Sequence, residues 1–185
     1  TRRSSDLQAD LAPGFNFFGG ANGAGKTSLL EAVHLLAHGR SFRGGTPESL
    51  IQRGSDRLSV FAELGDGESD QVSWQRLGMS YSRDGWVLRH NDRSVGSLSE
   101  FVRATAVVTL EPTSHELIGG PSESRRRFLD WLLFHVEPGF LDVWRRYMRA
   151  LRQRNASLRA RTVSNEELAV WEAELVKAGE VIRRQ

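Results

Sequence analysis

The chain has 185 residues, of which 39% are hydrophobic, so it can bury a core in one domain or in one domain with an appendage. It contains no cysteine, which excludes disulfide frameworks and thiolate metal sites, and no apolar run is long enough to cross a membrane. The net charge is only +2, and a cytoplasmic protein without a membrane partner is the expectation.

The first residues predict strand, loop and helix in succession. Thr1 stands where an initiator Met is usual and no signal peptide follows, which leads us to expect a truncated N-terminus. Residues 4–11 predict a first strand, and residues 15–18 predict a short buried strand. Residues 28–38 predict a helix that ends at Gly39.

A glycine-rich loop joins the second of these strands to the helix. Its sequence, Gly20-Ala21-Asn22-Gly23-Ala24-Gly25-Lys26-Thr27, matches the phosphate-binding P-loop pattern G-x-x-x-x-G-K-[ST]. Glycines let backbone N–H groups turn towards phosphate oxygens, Lys26 can reach the terminal phosphates, and the Thr27 hydroxyl can ligate Mg²⁺. We therefore predict a site for a nucleoside triphosphate and Mg²⁺. Its predicted contact residues are Gly20, Ala21, Asn22, Gly23, Ala24, Gly25, Lys26, Thr27 and Ser28.

Residues 57–95 change to a pattern of short strands. The predicted strands are 58–64, 71–77, 79–83, 86–90 and 93–95. The turn pairs that join them are Asp66-Gly67, Asp84-Gly85 and Asn91-Asp92. This spacing is typical of an antiparallel meander, which a kinase built only of alternating β-α units does not contain.

A short helix and one more strand follow the meander. Residues 97–103 predict a helix with a capping box from Ser97 to Glu100. Residues 105–110 predict a buried strand that ends at Glu111.

The C-terminal part is helical throughout. A break at 119–121 separates a predicted lobe, residues 1–122, from a predicted helical arm, residues 123–185. The arm opens with a helix over 124–134, and Pro138 is predicted to start the next helix.

Two of the arm helices carry matching apolar stripes. The first stripe has coiled-coil spacing with one polar member and consists of Leu141, Trp144, Met148, Leu151, Asn155 and Leu158. After a turn at 161–163, Ser164 and Glu167 make a capping box. The last helix repeats the spacing with Leu168, Trp171, Leu175, Ala178 and Ile182. Two such helices predict an antiparallel hairpin.

Positive charge is concentrated in the arm. Residues 125–161 contain ten arginines and three acidic residues, a net charge of +7, whereas residues 1–124 carry −3 and residues 162–185 carry −2. Such a segment predicts a surface for the phosphate backbone of DNA, with a solvated helix face or a subunit contact as the alternative. The candidate DNA contacts flank the stripe and are Arg145, Arg146, Arg149, Arg152, Arg154 and Arg159.

Other polar residues point to no second site. The five histidines are scattered without the spacing of metal ligands, so zinc is not expected. Arg40 and Arg43 follow the helix after the P-loop. They could contact the nucleotide, and surface salt bridges are nearly as plausible a role.

The combination of segments resembles the RecF family of SMC-like, ABC-type recombination-mediator ATPases. The resemblance rests on the P-loop with its flanks and on His38-Gly39-Arg40-Ser41-Phe42-Arg43. It rests further on the run from Leu110 to Pro121 and, most specifically, on the run from Arg125 to Ala156. It covers nearly the whole chain and is weakest over 57–95.

The resemblance implies an α/β fold: half of a P-loop ABC-type ATPase head with an antiparallel meander, plus a helical, coiled-coil-like arm. It implies binding of ATP and Mg²⁺, an ATP-dependent homodimer of the full-length parent, and binding to duplex DNA and to junctions of duplex with single strands. It implies RecR and RecO as partners in loading a recombinase. The ABC signature and the Walker B carboxylates of the family are absent from this sequence, so the chain looks like an N-terminal half.

Two other functions are weighed against the ATP-dependent DNA-binding one. A self-contained small P-loop kinase would need a carboxylate for Mg²⁺, and Glu111 is its plausible candidate. A pure interaction module with a vestigial P-loop is opposed by the intact pair Lys26-Thr27. No catalytic residue is assigned, and we expect little hydrolysis from this chain.

Overall fold

The computed structural model describes residues 7–65, 73–159 and 164–185. Its elements in chain order are helix α1 (Lys26–His38), strands β1 (Leu58–Gly65), β2 (Trp74–Ser82), β3 (Gly85–His90) and β4 (Arg93–Ser94), and helices α2 (Leu98–Val102), α3 (Glu116–Gly119), α4 (Ser122–Val136), α5 (Phe140–Arg159) and α6 (Asn165–Arg184). Short 3-10 helices cover Pro47–Leu50 and Pro112–His115. The chain divides into two units between Thr109 and Leu110, and the boundary after residue 122 stays a prediction.

The first unit is built on a four-stranded antiparallel sheet with the strand order β1-β2-β3-β4. β1 alternates half-buried and exposed residues, as expected for a strand with one face on the core. The predicted meander is therefore confirmed, with one difference. The two strands predicted at 71–77 and 79–83 are one continuous strand, because Gly78 pairs with Phe61 and Arg89 within the ladder.

Two of the three predicted turns lie within the described residues. β2 and β3 pair Ser82 with Gly85 across a two-residue turn, which confirms the hairpin predicted there. Asn91 and Asp92 both have positive φ, 48° and 64°, as the tight turn between β3 and β4 requires. The turn predicted at Asp66-Gly67 lies outside the described residues.

Helices α1 and α2 pack with this sheet around one core. Gly39 ends α1 in the left-handed conformation, and a Cβ there would lie 2.6 Å from a methyl carbon of Leu98 in α2. α2 begins as predicted, with the Ser97 hydroxyl accepting a hydrogen bond from the Glu100 N–H. The buried core joins the two helices to the sheet and consists of Leu35, Leu36, Leu77, Met79, Leu88 and Phe101.

Truncation of Phe101 is expected to destabilise this unit strongly. The side chain is fully buried, so Phe101→Ala should lower the free energy of unfolding by about 3–5 kcal/mol, as the transfer and cavity costs add. The matched control is Phe61→Ala, because Phe61 is 64% exposed and its loss should cost less than about 1 kcal/mol. Urea denaturation of both variants measures the difference, and equal losses would contradict the assignment of the core.

Three predicted strands are wrong. Residues 7–11, 15–18 and 105–110 form no strand, and the part of the first prediction at 4–6 lies outside the described residues. Phe15 and Phe17 belong to the strand that the sequence predicts to be buried, yet they are 93% and 92% exposed. An extended segment becomes a strand only when a neighbour completes its hydrogen-bond ladder, and none of the described strands pairs with these segments.

The second unit consists of helices, as predicted. α4 and α5 are linked by a hydrogen bond from Trp144 Nε1 to Asp130 Oδ2 at 3.1 Å. α5 begins at Phe140, two residues after the proline at which the sequence predicts its start. The Ser164 hydroxyl caps α6 by accepting a hydrogen bond from the Glu167 N–H, as the capping box predicts.

α5 and α6 form the predicted antiparallel pair, and residues outside the predicted stripe of α5 also contact α6. Arg146 pairs with Glu174 at 2.7 Å and Arg154 with Glu172 at 3.2 Å, and the fully buried Ala150 lies between these two arginines at helical spacing. The predicted stripe is half-buried from Leu141 to Asn155, and Leu158 is exposed. A small residue such as Ala150 lets the two helices approach closely, whereas Trp144 of the stripe turns to α4.

Candidate nucleotide-binding site

The P-loop connects an extended segment to α1 through glycines in the left-handed region. Gly23 and Gly25 have φ of 85° and 93°, and Gly25 is the residue immediately before the helix. A Cβ would strain the backbone at these positions, so glycine permits the loop to fold back over the helix N-terminus. No side chain caps α1, and the first intrahelical bond is donated by the Leu29 N–H to the Gly25 carbonyl. The N–H groups of the first turn are therefore available to an anion.

Lys26 folds back across this loop. Its Nζ donates hydrogen bonds to the carbonyl oxygens of Gly20 at 2.7 Å and Ala21 at 2.8 Å. These bonds hold the ammonium group against the loop, while residues 20–24 are exposed to solvent. A cation and the N–H groups of the first helical turn, beside an open loop, fit the oxygens of a phosphate chain.

Thr27 and Ser28 complete the first turn of α1. Thr27 is exposed, so its hydroxyl is open to a ligand. In the described part of the chain, no group of three histidine or acidic side chains could hold a metal ion. The Thr27 hydroxyl could supply one ligand to a Mg²⁺ ion.

A polar cluster that the sequence analysis missed lies behind the loop, on the second half of α1. The Nδ1 of His34 is 2.8 Å from the Thr109 hydroxyl, and the Nε2 of His38 is 2.8 Å from the Val107 carbonyl oxygen. The Ser41 hydroxyl donates a hydrogen bond to the buried carboxylate of Glu31. The available sequence signal was two histidines four residues apart, which places them on one face of a helix.

The surroundings favour the neutral form of both histidines. Burial, helped by the charges of His38 and Arg40, lowers the pKa of His34 to about 4. Burial also lowers the pKa of His38, although the bond to the Val107 carbonyl opposes this shift. The two rings stack with centroids 4.1 Å apart, and two unit charges at that distance would repel by about 4 kcal/mol at an effective dielectric constant of about 20.

The remaining candidates near the nucleotide are exposed. Arg40 and Arg43 follow α1 with exposed side chains, so they remain candidates for the nucleotide as well as for solvent. Glu111, the carboxylate of the kinase alternative, is exposed and lies in the second unit, where its N–H donates to the Ser114 hydroxyl at 2.8 Å.

The structure separates the six candidate DNA-binding arginines into two groups. At about 100° per residue, Arg145, Arg149, Arg152 and Arg159 lie within about one quarter of the α5 circumference. All four are exposed, and Arg145 lies 3.9 Å from Asp142. Arg146 and Arg154 lie on the α6 side and are engaged by Glu174 and Glu172.

Among the described residues, none of the helices is long and apolar enough to span a membrane.

Comparisons with known proteins agree on one family. Residues 4–105 match the AAA domain family. The DNA replication and repair protein RecF of Stenotrophomonas maltophilia is 46% identical over 100% of this chain and 51% of its own length. RecF of Coxiella burnetii is 41% identical over 97% of this chain and 49% of its own length. The chain thus spans about half the length of the curated relatives it matches.

Solved structures give the same result for the fold. A structure described as the recombination mediator protein RecF-ATPrS in the RecFOR pathway is 26% identical and superposes with a TM-score of 0.72. It is matched over 86% of this chain and 43% of its own length. The corresponding RecF-ATP structure, at 24% identity, has a TM-score of 0.74. The chain belongs to the AAA domain family and, within it, to the RecF proteins, whose N-terminal half it matches.

Proposed function

We propose that this chain is the ATP-binding half of a recombination-repair ATPase that acts on DNA. The observation that carries the proposal is the P-loop geometry, in which glycines, free N–H groups and Lys26 surround one open loop. The relatives named for DNA replication and repair, and the solved RecF structures named with ATP, support the same function. Titration calorimetry with ATP and Mg²⁺ tests it directly.

The residues have distinct roles in this proposal. Lys26 and the first-turn N–H groups bind the phosphates, and Thr27 supplies one ligand to Mg²⁺. We place the ATPase part in residues 1–122 and the arm in residues 123–185. Closure of the site by a second subunit, as a homodimer, and association with RecR and RecO are proposed from the family resemblance.

The comparisons support this function over a self-contained kinase. Relatives that match nearly the whole chain are named for replication and repair, and they extend to about twice its length. Glu111, the carboxylate that the kinase alternative would need, is exposed. A vestigial P-loop is opposed by Lys26, whose bonds already place its charge at the loop.

DNA is proposed to contact the exposed face of α5, defined by Arg145, Arg149, Arg152 and Arg159. These arginines lie on the side away from α6, in a segment of net charge +7. No side chain reads a base in this proposal, so binding should be independent of base sequence and should weaken with salt.

Neutralising part of this face is expected to change the salt dependence of DNA binding. Each phosphate contact contributes a slope of about −0.9 to log K against log salt, so Arg149→Ala with Arg152→Ala should flatten the slope by about 1.8. The matched control is Arg146→Ala with Arg154→Ala, which removes the same charge from arginines already paired with glutamates. Fluorescence anisotropy with duplex DNA at several salt concentrations measures both slopes. A larger change in the control would place the DNA surface on the α6 side.

A further inference from the structure

The P-loop helix is held from behind by a histidine clamp, which consists of His34 and His38 of α1 with Val107 and Thr109. The two hydrogen bonds of the clamp are both 2.8 Å long and join residues 75 and 69 positions apart in the chain. Val107 and Thr109 belong to an extended segment that no described strand pairs with. At Val107, His38 provides a hydrogen bond to the backbone carbonyl that a sheet would otherwise supply, whereas His34 engages the side-chain hydroxyl of Thr109.

The clamp matters for the P-loop because the first half of α1 is poorly anchored. None of the residues 26–30 is buried, and the buried residues of the helix begin at Glu31. The position of Lys26 and of the first-turn N–H groups is therefore set by contacts made two or three turns further along a rigid helix. His34 and His38 make the polar part of those contacts.

Positive charge on the rings would destabilise the clamp, because the two rings are stacked. The Val107 carbonyl can only accept, so the proton of neutral His38 is on Nε2. Protonation would keep that donor but would place a cation in the stacked pair, with Arg40 nearby and the Phe42 ring at right angles to His34. The carboxylate of Glu31, on the same helix, is engaged by the Ser41 hydroxyl.

We propose that His34 and His38 are positioning residues for nucleotide binding, which hold the P-loop helix against residues 107–109 and do so most firmly while both rings are neutral. The inference rests on the proposed function of the P-loop. Because the folded clamp excludes the proton, its contribution is complete above the ordinary histidine pKa of 6.5. It is lost progressively as the pH falls towards the His34 pKa of about 4.

Two substitutions at position 38 separate positioning from simple packing. The glutamine side chain of His38→Gln can still donate to the Val107 carbonyl but cannot be protonated, whereas His38→Leu removes the donor. In the full-length protein at about pH 7.5, ATP affinity should stay within about twofold for His38→Gln and fall about tenfold or more for His38→Leu. If His38→Leu lowers the melting temperature but binds ATP like the original protein, the proposal is wrong.

The pH dependence is tested with the double variant His34→Gln, His38→Gln. Between about pH 7.5 and pH 4, the pKa of His34 in the folded clamp, the original protein should lose more ATP affinity than the double variant, whose remaining loss reports protonation of the nucleotide and of other groups. Equal losses would overturn the proposal.

Amide hydrogen exchange without nucleotide gives an independent readout. After correction for intrinsic rates, residues 26–30 and 105–109 should gain exchange at low pH in the original protein and not in the double variant. Exchange that does not differ between the two proteins would refute the clamp. An original protein that binds no ATP would refute the proposed function while the exchange result still decides on the clamp.

Discussion

Replacement of Lys26 by alanine should weaken ATP binding by about 2–4 kcal/mol, or roughly thirty- to a thousandfold. The ammonium group is held at the loop by two carbonyl oxygens, so it meets the phosphates already positioned. Bonds from an ammonium group to phosphate are charge-assisted, so alanine would leave the phosphates without that charge. In the full-length parent, the proposed nucleotide-driven dimerisation should disappear with the binding.

Lys177 provides a matched control for this experiment, because it is the other lysine of the chain and lies exposed on α6. Lys177→Ala makes the same chemical change and should leave ATP affinity unaltered. Titration calorimetry of both variants, with circular dichroism to verify folding, gives the comparison. Unchanged ATP affinity in the Lys26 variant would show that Lys26 does not contact ATP. It would also favour the alternative function, an interaction module with a vestigial P-loop.

The parts of the fold that the sequence predicts well are those decided by neighbouring residues. Gly39 ends α1, and Ser97 and Ser164 cap the helices that follow them, because each bond joins groups within four residues. The turn at Asn91 and Asp92 is equally local, since these two residue types tolerate positive φ. The P-loop is also predicted well, because its pattern lies within eight consecutive residues.

The structural predictions are wrong where contacts between residues far apart in the chain decide the local structure. Residues 105–110 have the apolar, β-branched composition of a buried strand, but they lie beside α1 and bond to two of its histidines instead. The histidine clamp could not be predicted, because the chain separation of its partners leaves no local pattern. The fully buried Ala150 of α5 was likewise not predicted, because a small residue gives no signal in a periodicity of large apolar residues.

The 185-residue chain alone should bind nucleotide weakly and hydrolyse almost none. Phosphoryl transfer requires a positioned water and stabilisation of charge around the γ-phosphate. This chain offers the phosphate cradle, Lys26 and one Mg²⁺ ligand, Thr27. Within the described residues, no cluster of three or more acidic or histidine side chains could hold a metal ion.

The expected loss of hydrolysis rate depends on the catalytic groups that this chain does not supply. The family resemblance assigns the second Mg²⁺ carboxylate and the water-orienting acid to the other half of the head, and the closing signature to a second subunit. Loss of one preorganised group costs on the order of 10²–10³ in rate, so the loss of two should bring turnover to background.

Steady-state assays of phosphate release by the purified chain, with Lys26→Ala as the control for contaminating ATPases, measure this rate. Turnover clearly above that control would show a complete catalytic site within these residues. In that case Glu111, which is exposed to solvent, becomes the carboxylate to replace next, and the kinase alternative becomes the better account. Turnover equal to the control is the expected result, because half of an ATPase head can position the phosphates but cannot activate the attacking water.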